Sequence, residues 1–118
     1  MHSLAMVIVD RNDSLDEMLD GFFYDDGDGS VNEYGHFDYF DEDLSAWKDS
    51  SPLPALNGRT GKEVADAYRA DEDLEFPSAV AYCDWGEYEW REGISYSCLL
   101  DLLDGNMNSV IRFVDYHN

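Results

Sequence analysis

Residues 76–91 have the sequence FPSAVAYCDWGEYEWR, and this stretch decides the fold class. The apolar run Phe76–Cys83, with Pro77 at its start, predicts a β-strand. Glu87–Arg91 alternates charged and aromatic side chains, which is typical of a half-buried strand. Only Asp84, Trp85 and Gly86 separate the two segments, so we expect a tight turn and an antiparallel hairpin.

Segments on both sides of this hairpin have strand or helix patterns of their own. Strands are predicted at Leu4–Val9 (LAMVIV), near residues 35–40 and at Ser109–Tyr116. Helices are predicted from Asp13 or Ser14 to about Phe23, from Thr60 to about Asp71, and from Ser95 or Ser97 through Leu103. The segment Ser50–Gly61 is rich in Pro and Gly and is predicted to be a loop. The order is β-α-(β)-α-β-β-α-β. It predicts a single compact α+β domain over residues 1–118, with a mostly antiparallel sheet of four to five strands and two to three helices packed on one face.

The charge of the chain is its most unusual property. There are 27 Asp and Glu residues against 7 Lys and Arg, which gives a formal net charge of −20. Such a chain repels the phosphates of nucleic acids and the surfaces of anionic membranes, so we expect no direct binding to either. A compact domain of this length is roughly 35 Å across, and duplex DNA has about 20 charges over the same distance. The charge density therefore matches that of a nucleic acid.

The expected location is the cytoplasm of a host cell. No apolar run reaches the roughly 18 residues that a membrane span needs, and Met1–Asp10 lacks the basic residues of a signal peptide. Two cysteines, Cys83 and Cys98, are too few for a disulfide scaffold, so we expect free thiols in a reducing compartment.

Three acidic clusters are the candidate partner-binding residues, because their spacing on strands and helices is close to that of phosphates along a nucleic acid strand. Tyr39, Trp85 and Tyr88 lie beside these acids and would add rigid anchors for arginine. The clusters are Asp38, Asp41, Glu42 and Asp43; Asp71, Glu72, Asp73 and Glu75; and Asp84, Glu87, Glu89 and Glu92.

One motif offers a weaker, alternative metal site. The sequence FYDDGDGSV (residues 23–31) resembles the middle of an EF-hand calcium loop, with Asp26, Asp28 and Ser30 as ligands. Tyr24 and Gly35 fall where that loop needs its first carboxylate and its bidentate Glu. We therefore favour a solvated turn and expect no metal or other cofactor.

Catalytic motifs are lacking. There is no G-x-S-x-G elbow and no phosphate-binding glycine loop with the required spacing, and carboxylate pairs carry no information in so acidic a chain. We expect that the protein is not an enzyme.

Two resemblances extend this interpretation. LAMVIVDRNDSLDEML (residues 4–19), FPSAVAYCDWGEYEWREG (76–93) and LLDLLDGNMNSVIRFVDYHN (99–118) resemble segments of small uncharacterised phage proteins. By size and charge, the chain is similar to phage DNA-mimic antagonists, the anti-CRISPR and antirestriction proteins. The second resemblance is one of composition and transfers no specific residue.

These resemblances imply an inhibitor that mimics nucleic acid and occupies a basic nucleic-acid-binding surface of a host defence complex. The expected partner is a basic protein or ribonucleoprotein such as a CRISPR effector, a restriction enzyme or a nuclease; whether the inhibitor is a homodimer is left open. The alternatives are an immunity-type inhibitor of a basic nuclease, a halophilic soluble protein and a degenerate EF-hand-like calcium module. The halophilic alternative is favoured by 18 Asp against 9 Glu and by only two lysines.

Overall fold

The fold is built on a five-stranded sheet with the strand order β2-β5-β1-β3-β4. The structure, a computed structural model, describes residues 2–24, 31–33, 35–44 and 53–117. The strands are β1 (His2–Val9), β2 (Tyr39–Asp41), β3 (Ala79–Asp84), β4 (Glu87–Glu92) and β5 (Val110–His117), and the helices are α1 (Leu15–Asp20), α2 (Leu53–Leu56), α3 (Gly61–Ala70) and α4 (Tyr96–Asp104).

Most strand pairs are antiparallel, which confirms the predicted fold class. β1 pairs with β5 over eight residues, β2 pairs with the end of β5, and β3 and β4 form the predicted hairpin. The exception is β1 with β3, which are parallel, with Ala5 opposite Ala79 and Val7 opposite Ala81. Their carboxyl ends therefore lie at the same end of the sheet, and this determines which side chains meet there.

The central strand β1 is buried on both faces of the sheet. Leu4, Met6 and Ile8 contact one hydrophobic cluster, and Ala5 and Val7 contact the other. A strand in this position needs apolar side chains at every residue, which explains the unbroken run LAMVIV.

Helices cover both faces of the sheet, because the apolar side chains on each face of β1 must be buried. The first cluster includes Leu53 of α2, Tyr68 of α3 and Leu99 of α4, so these three helices share one face; of them, α3 and α4 were predicted there. The short helix α1 packs on the opposite face through Met18 and Leu19, where the prediction placed no helix. We call these the α2–α4 face and the α1 face.

Serine and threonine caps begin the three longer helices where the sequence predicted them. Ser14 accepts a hydrogen bond from the backbone N–H of Glu17, and Ser95 accepts one from Cys98, both at 3.2 Å. Thr60 and Glu63 form a reciprocal capping box. Each bond satisfies a backbone donor that the first turn of a helix leaves unpaired.

Several boundaries differ from the prediction, including that of β3, which begins at Ala79 instead of Phe76. The loop predicted at Ser50–Gly61 contains the single-turn helix α2, because Leu53 is fully buried and Pro54 is tolerated in a first turn. α1 ends at Asp20 instead of Phe23, since Phe22 and Phe23 leave the helix to pack on the α1 face. The strand expected near residues 35–40 is β2, which is only three residues long. Both cysteines are free thiols, as predicted.

Candidate binding site at the β3–β4 hairpin

The turn of the hairpin presents an almost fully exposed tryptophan. Trp85 is 98% exposed, and its φ of 53° lies in the left-handed region that disfavours ordinary L-residues. Gly86 follows with a φ of 84°, so both central residues of this two-residue turn have positive φ, as a type I′ hairpin turn requires. A large apolar side chain thus occupies a position where Asn or Gly is preferred, and it contributes almost nothing to the core.

Carboxylates flank this tryptophan along β4. Asp84 lies opposite Glu87, and Glu89 lies opposite Tyr82. Glu92 is at the far end of β4, where it accepts a hydrogen bond from the indole Nε1–H of Trp90 at 3.1 Å. Within the described part of the chain, none of these four acids forms an ion pair with Lys or Arg.

The described ion pairs of Lys and Arg lie elsewhere in the fold. The pairs are Arg59 with Glu63, Lys62 with Asp66, Arg69 with Asp66 and Asp104, and Arg112 with Glu42. These cations neutralise acids on α3, at the end of α4 and beside β2. In the hairpin, Asp84, Glu87 and Glu92 are exposed and Glu89 is half-buried, and Glu92 lies 3.6 Å from Nδ1 of His36.

The predicted cluster at residues 38–43 lies at the opposite edge of the sheet. Glu42 pairs with Arg112 at 2.8 Å, and Asp38 lies 3.3 Å from Nδ1 of His117. Asp41 accepts a hydrogen bond from the backbone N–H of Asp43. Three strands separate β2 from β4, which puts the two edges roughly 19 Å apart.

The predicted cluster at residues 71–75 forms the turn that follows α3. Asp71 accepts a hydrogen bond from the backbone N–H of Asp73 at 3.0 Å, and the carbonyl of Glu75 accepts one from the Tyr68 hydroxyl at 2.7 Å. Glu72 is exposed between them. This turn precedes β3, whereas the Trp85 turn follows it. The structure therefore places the three clusters at separate sites; within the hairpin it brings Asp84 and Glu87 together at the turn, with Glu89 next along the same face, whereas Glu92 lies at the far end of β4.

A cavity of about 450 Å³ lies between α1 and β4. Phe22 and Trp90 have their ring centroids 5.6 Å apart, and the His36 ring stacks on Trp90 at 5.4 Å. Tyr88 and Glu89 also line the cavity. Sequence reasoning missed it because His36 is isolated in the chain, and only the packing of its neighbour Phe37 in the core brings it to β4.

Tyr88 connects this cavity to the end of β1. Its hydroxyl donates a hydrogen bond to Asp13 at 2.7 Å. This bond to a carboxylate, together with some desolvation and the nearby charges of Asp13 and Glu17, raises the pKa of Tyr88 to about 12.

Asp10, Asp13 and Cys83 form the one group of potential metal ligands within residues 2–24, 31–33, 35–44 and 53–117. Their ligand atoms all lie within 4.8 Å of one another. The parallel pairing of β1 with β3 brings them together, and this pairing is the signal that the sequence analysis lacked. Ser109 already donates to Asp10 at 2.6 Å, as Tyr88 does to Asp13. The weaker calcium alternative at Asp26, Asp28 and Ser30 lies outside the described residues.

Comparisons of the chain with protein-family models, with curated proteins and with solved structures find no match. Across the described residues, none of the helices has the length and apolar character that crossing a bilayer requires.

Proposed function

We propose that this protein is a non-enzymatic binding protein that uses its β3–β4 hairpin to occupy a basic, nucleic-acid-binding surface of another protein. In this proposal the inhibitor is of phage origin and acts in the cytoplasm of the host. Its target is a defence complex such as a CRISPR effector or a restriction enzyme. No bond is made or broken; the carboxylates take the place of nucleic acid phosphates.

One observation carries the proposal: an exposed tryptophan lies among carboxylates that have no Lys or Arg partner in the described part of the chain. Trp85 gains nothing in the folded monomer from its exposure, and its backbone is in an unfavourable region. Tryptophan is the residue type most enriched among binding hot spots. A partner that buries it would also bring cations to Asp84 and Glu87.

The charge of the whole molecule would act before contact. A net charge of −20 accelerates encounter with a basic surface by electrostatic steering, and salt weakens this effect. After contact, the hairpin acids form hydrogen-bonded pairs with Arg or Lys of the partner. The acids at residues 38–43 and 71–75 add to the steering field in this scheme without touching the partner.

Two variants with equal changes in charge test the proposal. The hairpin variant combines Asp84→Asn, Glu87→Gln and Glu89→Gln, and the turn variant combines D71N, E72Q and D73N. Each removes three exposed or half-exposed acids and raises the net charge by the same amount. Folding of both is checked by circular dichroism.

Each protein is immobilised and exposed to a bacterial lysate, and the bound proteins are identified by mass spectrometry. We expect the wild-type protein and the turn variant to retain a basic nucleic-acid-binding protein that the hairpin variant loses. The wild-type protein then displaces a fluorescent oligonucleotide from the purified partner. Recovery of only neutral or acidic proteins would refute the proposal, and so would an equal loss in both variants, since net charge alone would then govern binding.

A further inference from the structure

We propose that the cavity between α1 and β4 binds the guanidinium group of an arginine, presented by an extended basic segment that pairs with β4 as a sixth strand. This inference rests on the proposed function and names the partner chemistry at its centre.

The first support is the open edge of β4. Among the described residues, β4 pairs only with β3. The two residues that flank a two-residue turn form a hydrogen-bonded pair, so the backbone N–H and C=O groups of Asp84 and Glu87 bond to each other. By the alternation of an antiparallel ladder, the backbone groups of Tyr88, Trp90 and Glu92 then point away from β3. These outward N–H and C=O groups are what an added strand pairs with.

The second support is the shape and lining of the cavity beside that edge. Its volume of about 450 Å³ is within the range of roughly 300–1,000 Å³ typical of small-ligand sites. Trp90 and His36 stack almost in parallel, with an interplanar angle of 19°, and Phe22 lies across Trp90. Because Trp90 and Phe22 are buried and His36 covers Trp90, the lining aromatic ring most accessible to a cation is Tyr88, which is 37% exposed.

The third support is the charge around the cavity. Two acids contact residues that line it: Glu92 lies 3.6 Å from Nδ1 of His36, and Asp13 accepts a hydrogen bond from the Tyr88 hydroxyl. Glu87 and Glu89 also contribute to the lining, but the alternation of β4 directs their side chains to the face opposite Trp90, so the acids nearest the aromatic rings are Glu92 and Asp13. No Lys or Arg within the described ranges lines it, so the site is complementary to a cation and lacks one of its own.

The chemistry favours arginine over lysine. A guanidinium is planar and weakly hydrated, stacks on aromatic rings, and can donate two parallel hydrogen bonds to one carboxylate. An ammonium group is more strongly hydrated and loses more solvation in an aromatic site. A side chain that projects from a strand alongside β4 on the α1 face reaches the same face as Trp90, because residues on one face of neighbouring strands lie side by side.

The test is an NMR titration of the full-length protein with N-acetyl-arginine N-methylamide. The citrulline analogue, which keeps the shape and loses the charge, is the control. We expect saturable shifts of the Trp90 indole N–H and of the amides of His36 and Tyr88, with millimolar affinity. The lysine analogue binds more weakly, and the citrulline analogue at least about tenfold more weakly. Glu92→Gln reduces the arginine affinity, and the exposed control Glu72→Gln leaves it unchanged.

A second titration tests the strand. A five-residue peptide with a central arginine binds at least about tenfold more tightly than the single amino acid, and N-methylation of its alternate outward amides abolishes that gain. Shifts that do not saturate, or that are equal for arginine and citrulline, overturn the inference. An unmethylated peptide no tighter than the amino acid overturns the pairing with β4.

These failures are separable from failure of the proposed function. If the wild-type protein displaces nucleic acid from a basic partner while arginine leaves Trp90 unshifted, the inference fails and the proposed function stands. If arginine binds and no such partner is recovered, the proposed function fails, and the cavity is then an arginine site with a different biological use.

Discussion

Replacement of Trp85 by Asn is expected to make the protein more stable and less able to bind. The left-handed conformation costs an ordinary L-residue roughly 1–2 kcal/mol, and Asn tolerates it better because its short side chain forms local hydrogen bonds. Since the Trp85 side chain is 98% exposed, its removal sacrifices almost no burial. We therefore expect the free energy of unfolding to rise by about 1 kcal/mol, equivalent to a melting temperature about 4 °C higher for a domain of this size.

The measurement is urea unfolding followed by circular dichroism, with calorimetry for the melting temperature. Gly86→Ala is the matched control, because a Cβ at a φ of 84° introduces strain, and we expect a loss of roughly 1 kcal/mol. In the lysate experiment, W85N loses the partner that the wild-type protein retains. A Trp85→Asn variant less stable than wild type would show that Trp85 is packed in the monomer, and the argument from its exposure would be wrong.

Three further predictions concern the rest of the molecule. Gly61→Ala lowers the free energy of unfolding by about 1–3 kcal/mol, because the new Cβ collides with the backbone carbonyl of Asn106; unchanged urea denaturation would contradict this. Asp13→Asn lowers the pKa of Tyr88 from about 12 toward its ordinary 10.0, as followed by ultraviolet absorbance. Because the folded state raises this pKa, the stabilising effect of the bond is complete below pH 10 and is lost as the pH rises to about 12. Raising NaCl from low concentration to about 0.3 M increases the melting temperature by screening self-repulsion and then has little further effect, whereas a halophilic protein continues to gain stability toward molar salt.

Local patterns were sufficient to predict the hairpin and the helix caps. Asp84, Trp85 and Gly86 separate two strand-like runs, and the last two of these residues form the turn. Ser14, Thr60 and Ser95 begin their helices through bonds to residues only three positions away. Interactions of such short range are encoded by adjacent residues. The α+β class followed from their order along the chain.

The arrangement of the strands depended on distant residues and could not be derived in the same way. β1 pairs with β3 in parallel, and no turn or spacing joins the two strands. The position of α1 on its own face follows from that topology. β2 was hard to place because only Phe40 of its three residues is even partly buried, which leaves almost no periodic signal.

In the candidate site, too, local features could be predicted from the sequence and the arrangement of distant residues could not. The acidity of residues 84–92 and the position of Trp85 in the turn could be predicted from the sequence, since composition and turn position are local properties. That the other two clusters lie at separate sites depended on the sheet order. The cavity beside Trp90 could not be predicted either, because His36 belongs to a segment with no recognisable secondary-structure pattern.

The central pairing of β1 with β5 has a consequence for biosynthesis. Asp10 and Ser109, which are hydrogen-bonded beside this pair, are 99 residues apart in sequence. A nascent chain therefore leaves the ribosome with one edge of LAMVIV unpaired until β5 emerges, even after β3 is available for the other edge, and such apolar edges are prone to self-association. Between them the chain is strongly acidic, so neighbouring nascent chains repel one another during this delay. The same carboxylates that would attract a basic target would thus also protect the protein during synthesis.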